Sequence, residues 1–160
     1  MHRSVILVAV LLACSSMAAA QAPLTGPAAP KDRAMDLPLE LLQQAAKEIA
    51  ASGEITKRVL EGGTFSVNVR HITGAETALQ HGKIAEVWVV REGTGTVATG
   101  GTLVDSEPGN GPGEFRGKSI RGGVERVIKA GDLVYIPPGV PHGIKQATAI
   151  TYLNIRFEIK

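Results

Sequence analysis

A short apolar run that ends at two prolines is the stretch that most constrains how this chain folds. Residues 133–136 read Leu-Val-Tyr-Ile, a β-branched and aromatic composition typical of a strand. Residues 137–139 are Pro-Pro-Gly; the prolines cannot donate to a strand ladder, and the glycine permits a tight turn. Pro141 then restricts the backbone just before His142. A histidine held at the end of a rigid turn suits a metal ligand or a proton carrier.

Alternating hydrophobicity and turn residues predict a chain built mostly of short strands. The predicted strands include residues 65–72, 86–90, 96–99, 102–104, 133–136 and 150–159. Glycine-rich pieces at 93–95 and 100–101 are predicted to be hairpin turns, and 105–113 a loop. Neither glycine-rich piece opens a helix, so a phosphate-binding loop is not indicated. Many short strands with no helix between them favour an antiparallel sandwich or barrel.

One helix is predicted ahead of the strands. Asp36 can cap its start, and Pro38 fits its first turn. Apolar residues then recur at helical spacing up to a stop at residues 52–53, Ser-Gly. This helix is predicted to pack across one face of the sheet.

The first twenty residues have the pattern of a signal peptide. A short basic start, an apolar run too short to span a bilayer, and an Ala-Ala-Ala cleavage site predict export to the periplasm or beyond. Residues 21–35 are predicted to be a flexible leader, and 36–160 a single domain. Cys14, the one cysteine, follows Leu-Leu-Ala and leaves a lipid-anchored form open as an alternative to a soluble one.

The charge pattern limits the kinds of partner. The net charge is +2, and lysine and arginine are scattered rather than clustered. Nucleic acid and anionic membrane surfaces are therefore not predicted partners. A small-molecule ligand is the expected partner, and the mature chain is expected to contain no transmembrane span.

The spacing around the proline turn resembles the second motif of the cupin superfamily. Gly131, Pro137, Gly139 and His142 match that motif, and Gln146 stands where it has asparagine. The resemblance implies a double-stranded β-helix jelly roll, here as a single cupin domain with one N-terminal helix. It also implies that a homodimer could form through exposed edge strands. The segment 112–117, Pro-Gly-Glu-Phe-Arg-Gly, is similar to one found in small bacterial cupins.

The first cupin motif is matched only in part. His81, Glu86 and Gly93 fall at its spacing, and Gly74 approximates its opening glycine. Leu79 occupies the position of the usual first histidine ligand. The site therefore has either three protein ligands and more room for water or substrate, or too few ligands to hold a metal.

The resemblance implies that His81, Glu86 and His142 point into the barrel as metal ligands. Two imidazoles and a carboxylate with open positions suit a divalent transition metal, here iron, manganese, zinc or nickel. Glu86 shares its strand face with Trp88 and Val90, which alternation places toward the barrel interior. No catalytic residue and no organic cofactor site is assigned.

Further polar and aromatic residues are candidates for substrate contact. Gln146, Trp88 and Tyr135 are the named candidates, although Trp88 is expected to be a core residue first and Tyr135 could equally be one. Tyr152, Asn154 and Arg156 share one face of the last predicted strand, and we expect that face to be solvated while the opposite apolar face is buried. His71 is expected to be an ordinary packed histidine.

Two functions remain open at this point. The first is a metal-dependent enzyme with oxygenase, lyase or isomerase chemistry on a small organic molecule inside the barrel. The alternative is a non-catalytic exported cupin that binds or senses a small ligand. The retained histidines and carboxylate favour the first, and Leu79 favours the second.

Overall fold

A computed structural model describes residues 26–160, and the predicted signal peptide and Cys14 lie outside this range. Within it, one helix precedes eleven strands, and no helix is long and apolar enough to cross a membrane. The elements are α1 (Leu39–Ser52), β1 (Thr56–Glu61), β2 (Phe65–Ile72), β3 (Ala78–Gln80), β4 (Ile84–Thr99), β5 (Thr102–Val104), β6 (Glu107–Pro108), β7 (Phe115–Gly117), β8 (Ser119–Arg121), β9 (Val124–Lys129), β10 (Leu133–Ile136) and β11 (His142–Glu158).

Two long strands organise the sheet. β4 and β11 pair antiparallel along almost their whole lengths. The second half of β11 also pairs with β2, which continues to β1, while β9 and β10 both pair with β4. At its start β11 pairs with β3, which continues to β7 and β6, and β5 pairs with β8 separately. The predicted all-β architecture with one N-terminal helix is confirmed.

Both long strands exceed the sequence prediction. The turn predicted at residues 93–95 is wrong, because β4 continues through it; likewise β11 begins at His142 rather than at Ile150. Gly93 has a φ of 75°, and the pairing of β4 with β11 shifts register at three places. Register shifts of this kind bend paired strands without ending them, and the positive φ of Gly93 adds to the bend of β4 where a turn was expected.

Helix α1 covers the outer face of the sheet formed by β1, β2 and β11. Ala45 and Ile49 pack on Val59 and Val69, which confirms the predicted role of the helix. The helix begins after Pro38, whose backbone is extended, and no side chain caps it; the cap predicted at Asp36 is therefore wrong. Its C-terminal end is the predicted glycine, whose φ is 75°.

Part of the predicted leader contacts the domain. Ala29 donates a backbone hydrogen bond to Glu61 O at 2.7 Å, and Glu61 N donates to Pro27 O at 2.8 Å. A short parallel bridge thus joins residue 28 to the end of β1. This segment is held against the outer strand by backbone pairing.

The barrel interior has an apolar half and a polar half. The apolar half contains Ile72, Trp88, Val90, Val97, Ile128, Val134, Ile136, Ile144, Ala147, Ile150 and Tyr152. The polar half contains buried His81, Glu86, His142, Asn68 and Asn154. The apolar half fixes the strands, and the polar half is where chemistry can occur.

The polar face of β11 points inward, contrary to the sequence prediction. Tyr152 and Asn154 are buried, and Arg156 is only partly exposed. On the opposite face Leu153 packs in the cluster beneath α1. The prediction was wrong because the helix covers the apolar face, while an acidic side chain inside the barrel pairs with the arginine.

Candidate metal centre

Three side chains from distant parts of the sequence converge in the polar half of the barrel. The potential ligand atoms of His81, Glu86 and His142 all lie within 4.8 Å of one another. His81 Nε2 is 3.2 Å from Glu86 Oε1, and His142 Nε2 is 3.4 Å from Glu86 Oε2. Their exposed fractions are 6, 2 and 2 per cent for His81, Glu86 and His142, so water screens them little.

The fold delivers these side chains from three elements. Glu86 lies near the start of β4, directly opposite Ile136 of β10 and Arg156 of β11. His142 is the first residue of β11, immediately after the proline-rich turn. His81 follows β3, and its carbonyl accepts a 2.7 Å hydrogen bond from the backbone of Gly139. That bond ties the first histidine to the turn that presents the second.

The ring of His142 is oriented by the backbone. Its Nδ1 lies 2.8 Å from the carbonyl oxygen of Val140, which can only accept, so Nδ1 carries the proton and donates. The other ring nitrogen, Nε2, faces Glu86 Oε2 at 3.4 Å and is buried without a hydrogen-bond partner. A buried imidazole nitrogen of this kind points to a ligand, because leaving it unpaired is costly.

The ring of His81 is oriented by a carboxylate. Its Nδ1 contacts the Glu114 carboxylate, which leaves Nε2 facing the centre. Carboxylate partners of this kind hold metal-binding imidazoles in many proteins. The chain crosses closely here, since a Cβ on Gly82 would lie 2.9 Å from the Cα of Gly113. The two glycines let the loop before β7 bring Glu114 to His81.

Glu86 is held as a carboxylate by several donors. Trp88 Nε1 donates to its Oε2 at 2.7 Å, and Asn154 Nδ2 donates to the same oxygen at 3.1 Å. Burial opposes ionisation, but the neighbouring imidazoles and the Arg156 guanidinium outweigh it and hold the pKa of the Glu86 carboxyl well below its usual range. Glu86 is therefore available as an anionic ligand at neutral pH.

Arg156 lies against both of the first-motif side chains. Its Nε is 3.1 Å from Glu86 Oε1 but is not aligned for a hydrogen bond, so the contact is an ion pair. Its Nη2 is 3.3 Å from both Nδ1 and Nε2 of His81, so it lies over the face of the ring rather than on the lone pair of one nitrogen. Arg156 therefore lies next to the potential ligand atoms without occupying the lone pair of His81 Nε2.

Leu79 stands beside the centre without contributing a ligand. Its Cα pairs with that of His142 across β3 and β11, and directly paired residues point to the same side of a sheet. The position of the first histidine of the cupin motif is thus occupied by Leu79, whose half-buried aliphatic side chain faces the site. The group that could hold a metal here therefore consists of three side chains.

The remaining sequence candidates divide into two groups. Trp88 belongs to the site through Glu86 and also to the core, where it stacks on Tyr152 with ring centroids 4.6 Å apart. Tyr135 is 56 per cent exposed and Gln146 is also exposed, so the structure does not bring them to the centre. His71 Nδ1 is hydrogen-bonded to Thr151 Oγ1 at 2.9 Å, and His71 is not part of the centre.

Sequence reasoning missed Glu114 as a site residue and expected Arg156 to be solvated. Glu114 lies in the segment 112–117, which had been noted only for its likeness to small bacterial cupins. Glu114 is the one carboxylate of that segment, and this was the sequence feature that could have identified it as a site residue.

The chemistry of the donors fits a divalent metal: two oriented imidazoles, one ionised carboxylate, and a buried nitrogen without a partner.

Comparison with known proteins bears on the fold. No protein-family model and no curated protein matches the chain. A solved structure of BH2720 from Bacillus halodurans is 14% identical, with a TM-score of 0.55 over 81% of this chain and 85% of that one. The protein NMB1881 from Neisseria meningitidis is 16% identical, with a TM-score of 0.48 over 73% and 96% of the two chains. Rru_A2000 from Rhodospirillum rubrum, described as a cupin-2 domain, is 16% identical, with a TM-score of 0.46 over 66% and 61%.

At such identities a likeness concerns the fold alone. The fold is the one implied by the motif spacing: antiparallel strands wound around a half-apolar interior, with the second-motif histidine at the start of β11. The strand order and the likeness to BH2720 therefore show an antiparallel β fold of the kind that the resemblance to cupins implied.

Proposed function

We propose that this protein is a metal-dependent cupin that acts on a small organic molecule, with His81, Glu86 and His142 as ligands of a divalent transition metal. The observation that carries the proposal is the buried, unpartnered Nε2 of His142, which faces Glu86 and His81. Both rings also have their other nitrogen occupied, by Val140 O and by the Glu114 carboxylate. This is how proteins commonly orient imidazole ligands.

When bound, such a metal would polarise an oxygen atom of the substrate or activate water or dioxygen. The residues of this chain supply the rest of the chemistry. Glu86 holds negative charge in a dry site, while Trp88 and Asn154 fix its orientation. Burial raises the pKa of the Tyr152 hydroxyl well above its usual range, so Tyr152 remains neutral inside the barrel. Oxygenase, lyase and isomerase reactions all remain within the proposal, since a fold alone does not select a reaction.

A second candidate is a non-catalytic cupin that binds a small ligand. The observation favouring it is that Arg156 already compensates the charge of Glu86 at 3.1 Å, while Leu79 supplies no ligand. Export remains a proposal for both candidates and rests on the pattern of residues 1–20.

Cobalt absorption tests the metal ligands directly. Titrating the purified protein with Co²⁺ is expected to give visible bands that saturate near one equivalent in the parent and are absent in His142→Ala. His71→Ala is the matched control, since His71 lies outside the centre, and it should titrate like the parent. Equal spectra for all three proteins would contradict the proposed ligands.

Turnover separates the two candidates. The protein loaded with Fe²⁺, Mn²⁺, Zn²⁺ or Ni²⁺ is incubated with small organic acids and alcohols, and oxygen uptake and products are followed. Conversion by the parent but not by Glu86→Gln supports the enzyme. Metal binding without conversion of any compound supports the second candidate.

A further inference from the structure

A small cavity is lined on one side by Arg156, which also contacts the proposed metal ligands His81 and Glu86. Its volume is about 150 Å³, enough for a molecule of a few heavy atoms. It is lined in part by Arg58, Glu61, Thr64, Phe65, Ile84 and Arg156. Arg156 is thus shared, since it lines the cavity and also contacts His81 and Glu86.

The two arginines of the cavity differ in how fully they are engaged. Arg58 bonds the Glu61 carboxylate and donates from Nε to Asn68 Oδ1 at 3.2 Å. Glu61 is also held by the backbone of Gly63 at 2.8 Å. Arg156 instead makes a misaligned contact with Glu86 and a 3.3 Å contact with His81, and its Nε is buried without a hydrogen bond. Of the two guanidinium groups, that of Arg156 has fewer aligned hydrogen bonds, and it is the one that contacts the proposed metal ligands.

Metal binding would weaken the ion pair of that guanidinium. Once Glu86 serves as a ligand, its negative charge is shared with the metal, and its attraction for Arg156 is reduced. The site would then hold a divalent cation and a guanidinium against the carboxylates of Glu86 and Glu114, an excess of one positive charge. In a poorly solvated interior this excess favours an anion.

We propose that the Arg156 side of this cavity is a carboxylate subsite, so that the substrate or ligand is a small organic acid. This inference rests on the proposed function for the metal. The planar guanidinium presents paired N–H donors that match the two oxygens of a carboxylate. Because Arg156 also contacts His81 and Glu86, an acid bound to it lies one side chain away from the proposed metal ligands. Phe65 and Ile84 give an apolar wall for a short carbon chain.

The chain contains its own reporter for this test. It has a single tryptophan, and Trp88 donates to Glu86 at 2.7 Å with its ring 5.8 Å from that of His142. Tryptophan fluorescence is followed while Zn²⁺-loaded protein, freed of excess zinc, is titrated with propionate, malonate or the neutral analogue propionamide. The parent, Arg156→Met, Arg156→Lys and the exposed-site control Arg91→Met are compared. Zinc content and the melting temperature are measured on the same samples.

Saturable binding of an acid is expected in the parent and in Arg91→Met. The parent should bind propionamide at least about tenfold more weakly than propionate, and the Arg156→Met variant should bind the acids at least about tenfold more weakly than the parent does. This is the usual scale for losing a charged hydrogen bond. Arg156→Lys should bind with intermediate affinity, because it keeps the charge but not the paired donors.

The results separate the two proposals. No saturable change with either acid, or equal acid binding in Arg156→Met and the parent at equal zinc content, overturns the carboxylate subsite. Loss of zinc from the parent itself overturns the metal centre. In that case Arg156-dependent acid binding by the metal-free protein would still support the subsite.

Discussion

His81 depends on a residue that lies far from it in the chain. The Glu114 carboxylate holds its Nδ1, and this contact determines which ring nitrogen faces the centre. Removing the negative charge of Glu114 makes His81 Nε2 a weaker electron-pair donor to a metal and lets the ring turn. A carboxylate in this position thus affects metal binding through the histidine, without contacting the metal itself.

Glu114→Gln is therefore expected to lower metal affinity by about 10- to 100-fold, the usual effect of losing such a partner. Competition with a fluorescent zinc chelator measures the change. Glu107→Gln is the control, since Glu107 is exposed on β6. Equal affinities for Glu114→Gln and the parent would show that this carboxylate has no part in metal binding.

Leu79 offers the opposite change. Because it is directly paired with His142, a histidine at position 79 would point to the same side of the sheet. Leu79→His is expected to strengthen metal binding by about tenfold or more, as a fourth ligand. The same chelator competition detects it, and an unchanged or weaker affinity would mean that position 79 does not reach the centre.

At the scale of elements, the bulges in β4 and β11 let two strands run continuously around the barrel. Among the glycines of these two strands, Gly93 has the least space, because a Cβ there would lie 2.1 Å from the carbonyl oxygen of Ala149. Its φ of 75° also disfavours any residue with a side chain.

Gly93→Ala is expected to destabilise the protein by about 3 kcal/mol or more, since it combines strain with a backbone clash. Gly139→Ala is the matched control: its φ is 78° but nothing lies within 4 Å of an added Cβ. The control should lose only about 1 kcal/mol. Urea unfolding measures both, and equal losses would mean that the clash at Gly93 relaxes without cost.

The sequence predicted those elements that local pattern determines. β2 and β10 have their predicted bounds, and the alternation that placed Glu86 on the same face as Trp88 is correct. The failures depend on contacts distant in the chain. Whether Gly93 forms a turn or a bulge depends on β11, and the inward direction of Arg156 depends on α1 covering the opposite face. Glu114 reaches His81 only because two distant glycines meet, which spacing along the chain does not reveal.

For the whole molecule, the buried carboxylate links stability to pH. The pKa of Glu86 in the folded protein is well below its reference value of 4.5, so the folded state binds a proton less readily than the unfolded chain does. Its stabilising effect is therefore fully present above about pH 4.5 and is lost as the pH falls toward the folded pKa.

The metal-free parent is accordingly expected to lose stability on acidification below that pH more steeply than Glu86→Gln. Urea midpoints measured across this range give the comparison. Asp132→Asn controls for a surface carboxylate whose pKa is also lowered, chiefly by the backbone of Lys129. Parallel curves for the parent and Glu86→Gln would show that the Glu86 carboxylate does not contribute in this way.

The most direct test of the metal centre is elemental analysis of the untagged protein after reconstitution with iron, manganese, nickel or zinc and removal of free metal. We predict close to one equivalent of bound metal in the parent and in His71→Ala, and almost none in His81→Ala or His142→Ala. A parent that retains none of the four metals, or a His142→Ala variant that retains as much as the parent, would contradict a centre formed by His81, Glu86 and His142.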